Sequence, residues 1–359
     1  MEKIRVVLTD DSGVARSLLR SFLESDADIE VVGEAHNGEE AVRLARELRP
    51  NLITMDLEMP VMGGMQAIEE IMASKAVPIL VVSSVADAQN AYEAVARGAL
   101  EVIAKPEYDQ DIAAEFVAKV KMLARVPVIT HLRTKPTAAP STAIRRPPAH
   151  SEPAAAPLQS GSYTRLFAIA SSTGGPQALA QILRDLPANF PCPILVSQHI
   201  SDGFAGGMAD WLAGLCRLPV HLAREGELIV PGTVYVSPSE ASLAITPSRR
   251  VTLLARQSND VYRPICNALL NSAAEIFGRN AVGIILTGMG SDGAKGIAAI
   301  RQAGGHTLGQ DEASSVIYGM NKVAIDAGNV QDILPASRFA AEMCRIAGVS
   351  LPPRAGGAR

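Results

Sequence analysis

Residues 126–160 contain seven prolines and seven alanines among scattered serines and threonines, with no apolar periodicity. Proline fixes φ and removes a backbone N–H, so this stretch can neither join a sheet nor run as a helix, and it reads as an extended tether. A 359-residue chain interrupted there is expected to fold as two bodies, residues 1–125 and residues 161–350, each long enough to bury its own core. Residues 351–359, rich in proline and glycine, read as an unstructured tail.

The same pattern occurs on both sides of the tether. Before it, apolar runs at Ile4–Leu8, Leu52–Met55, Ile79–Val82 and Val102–Ala104, with a shorter candidate at Glu30–Val32, alternate with helical patterns such as Ala41-Val42-Leu44-Ala45-Leu48. After it come runs at Leu166–Ala170, Ile194–Ser197, Thr233–Val236 and Val282–Leu286. Strands that are apolar throughout, with helices between them, predict α/β domains in which a mostly parallel sheet is covered on both faces.

Charge excludes one class of partner. The net charge is −9 over residues 1–125, +3 over 126–160 and +2 over 161–359, together the chain's −4. Neither folded part carries the basic face that nucleic-acid phosphates require, and the alternation leaves no room for a short helix-turn-helix output. An acidic first domain beside a mildly basic second one is suited to mutual docking. No apolar run is long enough to span a bilayer, and Met1 to Val6 lead straight into a strand, so a cytoplasmic location is expected. The four cysteines are far apart, without metal-ligand spacing, and read as reduced thiols.

In the first domain the expected strands deliver acids to one sheet edge. Asp10 and Asp11 follow the first strand, Asp56 ends the central one, Ser83 ends the fourth and Lys105-Pro106 follows the fifth. Ligands of open parallel sheets sit beyond the carboxyl ends of the strands. Three carboxylates meeting there call for a hard cation such as Mg²⁺. Taken singly, Ser12 or Asp11 reads as a helix cap and Lys105 as a solvated surface lysine. Together and in register they resemble the receiver domain of response regulators. That resemblance implies a flavodoxin-like five-stranded parallel sheet with Asp56 as phosphoacceptor. It further implies Mg²⁺ held by Asp10, Asp11, Asp56 and the Glu58 carbonyl, Ser83 and Lys105 contacting the phosphoryl oxygens, and a histidine kinase as phosphodonor.

In the second domain Ser171-Ser172-Thr173-Gly174-Gly175-Pro176 joins a strand to a helix, Gln198-His199 ends the next strand, and Thr287-Gly288-Met289-Gly290-Ser291-Asp292-Gly293 follows a later one. A hydroxyl, an imidazole and a carboxylate can thus converge on one sheet edge as a Ser-His-Asp triad, although the chain order differs from the three best-known triads. Singly, His199 reads as a structural histidine and Asp292 as a turn former. A dinucleotide-binding reading fails, because the turn lacks Gly-x-Gly-x-x-Gly and the second strand does not end in a ribose-binding acid.

These motifs, with Gln310-Asp311-Glu312-Ala313-Ser314-Ser315 and Tyr318-Gly319-Met320, resemble the catalytic domain of the chemotaxis protein-glutamate methylesterases. The resemblance implies a doubly wound catalytic domain with Ser172 as nucleophile, His199 as general base and then acid, Asp292 orienting His199, and the N–H groups of Met289 and Thr173 facing the oxyanion. Implied with it are methyl-accepting chemoreceptors as substrates, deamidation of receptor glutamines, no cofactor at the esterase site, a monomer, and an unphosphorylated receiver covering the Ser172 face. The chain departs from the family pattern at Ile265, Cys266 and Asn267 (usually Ser-Val-Asp), at Asn321 (often proline) and at Glu240, where a histidine is common. These departures leave open a catalytically weak or inactive regulator that docks on receptors.

Overall fold

The computed structural model describes residues 3–84, 88–106, 110–128, 163–258 and 260–351. Most of the tether, residues 129–162, and the tail residues 352–359 lie outside them.

In the first domain β1 (Ile4–Thr9), β2 (Ile29–Ala35), β3 (Leu52–Met55), β4 (Ile79–Ser83) and β5 (Glu101–Ala104) form a wholly parallel sheet in the order β2-β1-β3-β4-β5. Helices α1 (Gly13–Glu24), α2 (Gly38–Leu48), α3 (Gly64–Ser74), α4 (Ala88–Ala96) and α5 (Gln110–Leu123) alternate with the strands. Every residue of β3 and β4 is buried, as continuous apolar runs require of strands covered on both faces. Local signals set the helix starts. The Ser12 hydroxyl accepts from Ala15 N–H at 3.3 Å and the Asn37 side chain from Glu40 N–H at 3.0 Å, each satisfying a donor that the helix leaves unpaired. The capping reading of Ser12 therefore holds, while Asp10 and Asp56 turn inward.

The second domain is built on β6 (Leu166–Ser171), β7 (Ile194–Gln198), β8 (Val220–Leu222), β9 (Val234–Val236), the separate hairpin β10 (Ala241–Ile245) and β11 (Val251–Ala255), β12 (Ala281–Ile285), β13 (His306–Gln310) and β14 (Asp332–Leu334). Its main sheet is parallel throughout, in the order β14-β13-β12-β6-β7-β9-β8, and only the hairpin is antiparallel. Helices α6 (Gly175–Asp185), α7 (Ala205–Leu215), α8 (Cys266–Phe277), α9 (Ala294–Gln302), α10 (Met320–Asp326) and α11 (Phe339–Ala347) complete it. The chain leaves β6 toward β7 and returns on its other side at β12, so strand order reverses at β6, where doubly wound sheets form their crevice. The loops after β6, β7 and β12 therefore gather at one edge.

The domains touch directly. Tyr92 of α4 stacks on Trp211 of α7 with ring centroids 5.9 Å apart. The Gln177 amide of α6 donates to the carbonyls of Ala99 and Leu100 at 2.9 and 3.0 Å. At the end of β5, Ala104 N–H donates to the Ser201 hydroxyl at 3.3 Å, two residues beyond His199. Val316 packs against the apolar cluster of the first domain.

Helices α8 and α9 pack tightly at Gly296, where an added Cβ would lie 2.3 Å from the Leu270 side chain. Gly296 N–H also donates to the Asn267 side chain at 2.8 Å. Gly296→Val should therefore force the helices apart and destabilise the domain by about 1–3 kcal/mol, the range for overpacked cores. Urea unfolding should show an earlier midpoint, and an unchanged midpoint would contradict the close packing.

Candidate active site

Ser171 and Ser172 follow one another at the end of β6, and the structure separates their tasks. Ser171 is fully buried and its hydroxyl donates to the Gln198 side chain at 2.6 Å. The Gln198 amide in turn donates to the carbonyls of Ser172 and His199 at 2.8 Å each, tying the ends of β6 and β7 together. Ser172 retains 8% exposure and its N–H donates to the Thr287 carbonyl at 3.0 Å. Of the two hydroxyls, that of Ser172 is the one not used to hold the fold. The turn that presents it needs Gly174, whose φ of 78° lies in the left-handed region, and Pro176 opens α6 as expected.

His199 and Asp292 meet, with Nε2 and Oδ2 2.8 Å apart. Asp292 is held on every side. Its Oδ2 accepts from Cys266 N–H at 2.6 Å, and its Oδ1 accepts from Asn267 N–H at 3.0 Å and from Gly293 N–H at 2.9 Å. Two of these donors are the first N–H groups of α8, which favours an anion at that helix end. Burial alone would push the Asp292 carboxyl up, but the His199 ring and these N–H donors outweigh it and hold the carboxyl below its usual range. Burial likewise opposes protonation of His199, yet Cys266 and the ionised Asp292 prevail and raise the imidazole above its ordinary value. In the neutral ring, the form that can act as a base, Asp292 accepting from Nε2 places the proton there and leaves the lone pair on Nδ1. Tyr262 stacks on the ring with centroids 5.1 Å apart and fixes its plane. Among the described residues the Ser172 hydroxyl makes no hydrogen bond to His199, a common state of such pairs before substrate arrives.

Thr287 organises the third loop. Its hydroxyl donates to the Thr173 carbonyl at 2.9 Å and accepts from Ile317 N–H at 2.9 Å, and its own N–H donates to the Gln310 side chain at 2.9 Å. Gly288 N–H is taken up by the Ile317 carbonyl, whereas the N–H groups of Met289 and Thr173 have no protein acceptor among the described residues.

The five family departures, Cys266 among them, sit beside the site. Ile265 N–H donates to Ser242, and Asn267 receives the Gly296 N–H while its own N–H serves Asp292. Asn321, fully buried, donates to the Gln310 carbonyl and the Ser315 hydroxyl. Glu240 accepts from Gly203 N–H at 3.0 Å and so steadies the loop after His199. Cys266, Gln198, Thr287 and Tyr262 are structural partners that sequence reasoning gave no role. Only the adjacency of Gln198 to His199 and of Thr287 to Gly288 hinted at two of them.

In the first domain Asp10, Asp11 and Asp56 offer carboxylate oxygens within 4.8 Å of one another. The Lys105 ammonium reaches Asp10 at 2.8 Å and Asp56 at 2.9 Å, and Lys105 N–H donates to the Ser83 carbonyl at 2.8 Å. Burial and the neighbouring Asp10 push the Asp56 carboxyl up against the pull of Lys105. The Ser83 hydroxyl is buried without a protein partner, and Glu58 is exposed at the rim.

Residues 167–343 match the CheB methylesterase family, and residues 6–116 match the response regulator receiver domain. A protein-glutamate methylesterase/protein-glutamine glutaminase of Paramagnetospirillum magneticum is 55% identical over 352 residues, 97% of this chain and 98% of that one. The chain belongs to the protein-glutamate methylesterase/protein-glutamine glutaminase family. A relative of the same name from Myxococcus xanthus is 41% identical over 90% of this chain and 88% of its own. The crystal structure of the Thermotoga maritima CheB methylesterase catalytic domain, 34% identical, covers 52% of this chain and 100% of its own with a TM-score of 0.50. That catalytic domain thus shares the α/β fold of the second domain described here, and no helix among the described residues is long and apolar enough to cross a membrane.

Two substitutions separate the serines. Ser172→Ala should fold normally and lose about 10⁴-fold or more in esterase rate, whereas Ser171→Ala should chiefly loosen the Gln198 tie and lower stability. Methanol release at a normal rate from the Ser172 variant would assign the nucleophile elsewhere. Asp292→Asn should cost about 10⁴-fold or more in kcat, as loss of the orienting carboxylate does in other triads. It should also lower stability, because its amide nitrogen would face backbone N–H groups that both Asp292 oxygens now accept from.

Proposed function

We propose that this methylesterase hydrolyses glutamyl methyl esters of chemoreceptors with Ser172, His199 and Asp292, under control of phosphorylation at Asp56. The observation that carries this reading is the 2.8 Å His199–Asp292 pair at the same sheet edge as a serine whose neighbour is engaged in holding the fold. The Ser172 Oγ attacks the ester carbonyl carbon as His199 Nδ1 takes its proton. The negative charge formed on the carbonyl oxygen faces the N–H groups of Met289 and Thr173, the kind of fixed donors that dominate such catalysis. His199 then returns the proton to the departing methoxide, methanol leaves, and water activated by the same imidazole cleaves the glutamyl-enzyme to the free carboxylate. With a glutamine side chain the same steps release ammonia.

Phosphorylation of receiver domains depends in general on Mg²⁺, with a histidine kinase as phosphodonor. Asp10, Asp11 and Asp56, with the Glu58 carbonyl, are the oxygen donors that fit such a hard cation. When bound, the ion offsets the charge that gathers between phosphodonor and Asp56. Lys105, already bridging Asp10 and Asp56, would turn to the new phosphoryl oxygens, as would the unpartnered Ser83 hydroxyl. Because Ala104 holds Ser201 beside His199, motion at this end of β5 reaches the catalytic edge directly.

Asp56→Asn should abolish Mg²⁺-dependent phosphorylation by acetyl phosphate, and label persisting on the variant would refute the assignment. The fragment 161–359 should outpace the unphosphorylated full-length protein, and acetyl phosphate should raise the rate of the full-length protein alone. A tenfold rise needs only about 1.4 kcal/mol of coupling, within reach of a small domain interface. A folded fragment slower than the unphosphorylated whole would mean that the receiver helps assemble the site.

A further inference from the structure

Cys266 opens α8 fully buried, with its sulfur 3.4 Å from His199 Nε2 and 3.3 Å from the Ser197 carbonyl. The Asp292 Oδ2 lies 2.8 Å from the same Nε2. One ligand atom from each of His199, Cys266 and Asp292 falls within 4.8 Å of the other two, so a nitrogen, a sulfur and an oxygen converge. Zinc binds imidazole nitrogen and carboxylate oxygen at about 2.0–2.2 Å and thiolate at about 2.3 Å, which puts tetrahedral donors a little over 3 Å apart. The observed spacing needs only a small opening of the His199–Asp292 contact to meet that. A mixed N, S, O set suits a borderline-soft cation and not Mg²⁺. A packing role for Cys266 accounts for its burial but not for the alignment of its sulfur with the ring nitrogen that already meets Asp292.

We infer that His199, Cys266 and Asp292 form a binding site for Zn²⁺ or a cation of similar softness, and that filling it switches the esterase off. Binding releases the thiol proton to solvent and transfers the ring proton from Nε2 to Nδ1, so that the histidine binds as a neutral imidazole, and the cation replaces the hydrogen bonds that the thiol and Nε2 made. With the cation on Nε2 the neutral ring carries its proton on Nδ1 and has no lone pair there to take the proton of Ser172, the step on which activation depends. The His199 side chain is 12% exposed, so the ring offers the approach from solvent. Three protein donors leave one tetrahedral position for water. The site itself stands on the three donors alone, whereas its inhibitory effect rests on the triad reading above.

Cd²⁺ titrated into the full-length protein should produce the ultraviolet charge-transfer band of a cadmium-bound thiolate, saturating at one equivalent. The band should persist in Ser172→Ala, disappear in Cys266→Val and be displaced by Zn²⁺. Zn²⁺ should lower methanol release about tenfold or more, reversibly with a chelator. In Cys266→Val, compared with its own metal-free rate, the concentration needed should rise at least about 10–100-fold, the range already seen when only a hydrogen-bond partner of a ligand is lost. No band in the parent protein, or a band retained by Cys266→Val, would overturn the site. Inhibition equally strong in that variant, or abolished by His306→Ala at the separate His306, Asp332 and Glu342 cluster, would overturn the link to esterase control. Failure of the triad reading is distinguishable, since it would appear as metal-free protein that releases no methanol while the band still forms.

Discussion

Asp292 is the residue on which the catalytic half of the molecule turns. A carboxylate with 2% of its surface exposed can keep its charge only if its oxygens are supplied with donors. Those donors come from the start of α8, from Gly293 and from His199, so the demand of one buried anion fixes where a helix begins, how a loop turns and which way an imidazole faces. The close approach of α8 and α9 at Gly296 follows, because Asn267 must reach both Asp292 and Gly296. Removing Asp292 would therefore leave α8 with unpaired donors as well as an unoriented histidine.

The receiver half shows the same economy at a second acidic centre. Asp10 and Asp56 are nearly inaccessible and lie close enough to repel, and the single ammonium of Lys105 spans them. Desolvation works against that ammonium, but the two carboxylates more than compensate and keep it charged. A lysine balanced in this way has two alternatives to choose between, and the backbone N–H of the residue before it is already bonded to the other domain.

Much of this could be read from the chain because parallel sheets place function at strand ends. Asp56 and Ser83 each end an apolar run, and Ser172, His199 and Lys105 each follow one, so locating the strands located them. The sheet interior was equally legible where strands are continuously apolar, as at β3 and β4. What escaped was structure without a strong period. β13 reads His-Thr-Leu-Gly-Gln and β14 only Asp-Ile-Leu, too short and too polar to stand out. The β10–β11 hairpin turns through Thr246-Pro247-Ser248-Arg249-Arg250, which has turn residues but no glycine to mark a tight two-residue turn. Cys266 was unreadable as a neighbour of His199 because 67 residues separate them and only the pairing of α8 with Asp292 brings the sulfur there. The Tyr92–Trp211 contact is one aromatic on each domain, which no pattern in either half announces.

If Asp56 carries the phosphoryl group as proposed, the bond from Ala104 to Ser201 would tie it and the catalytic edge into a single equilibrium, and equilibria of this kind run both ways. If a phosphoryl group at Asp56 favours separation of the domains by some factor, then a receptor segment that wedges them apart at Ser172 favours the phosphorylated state by the same factor. Engagement with a receptor would on this view be felt at Asp56 as well as at the ester, so that an enzyme at work on its substrate holds its own activating mark more firmly than one adrift in solution.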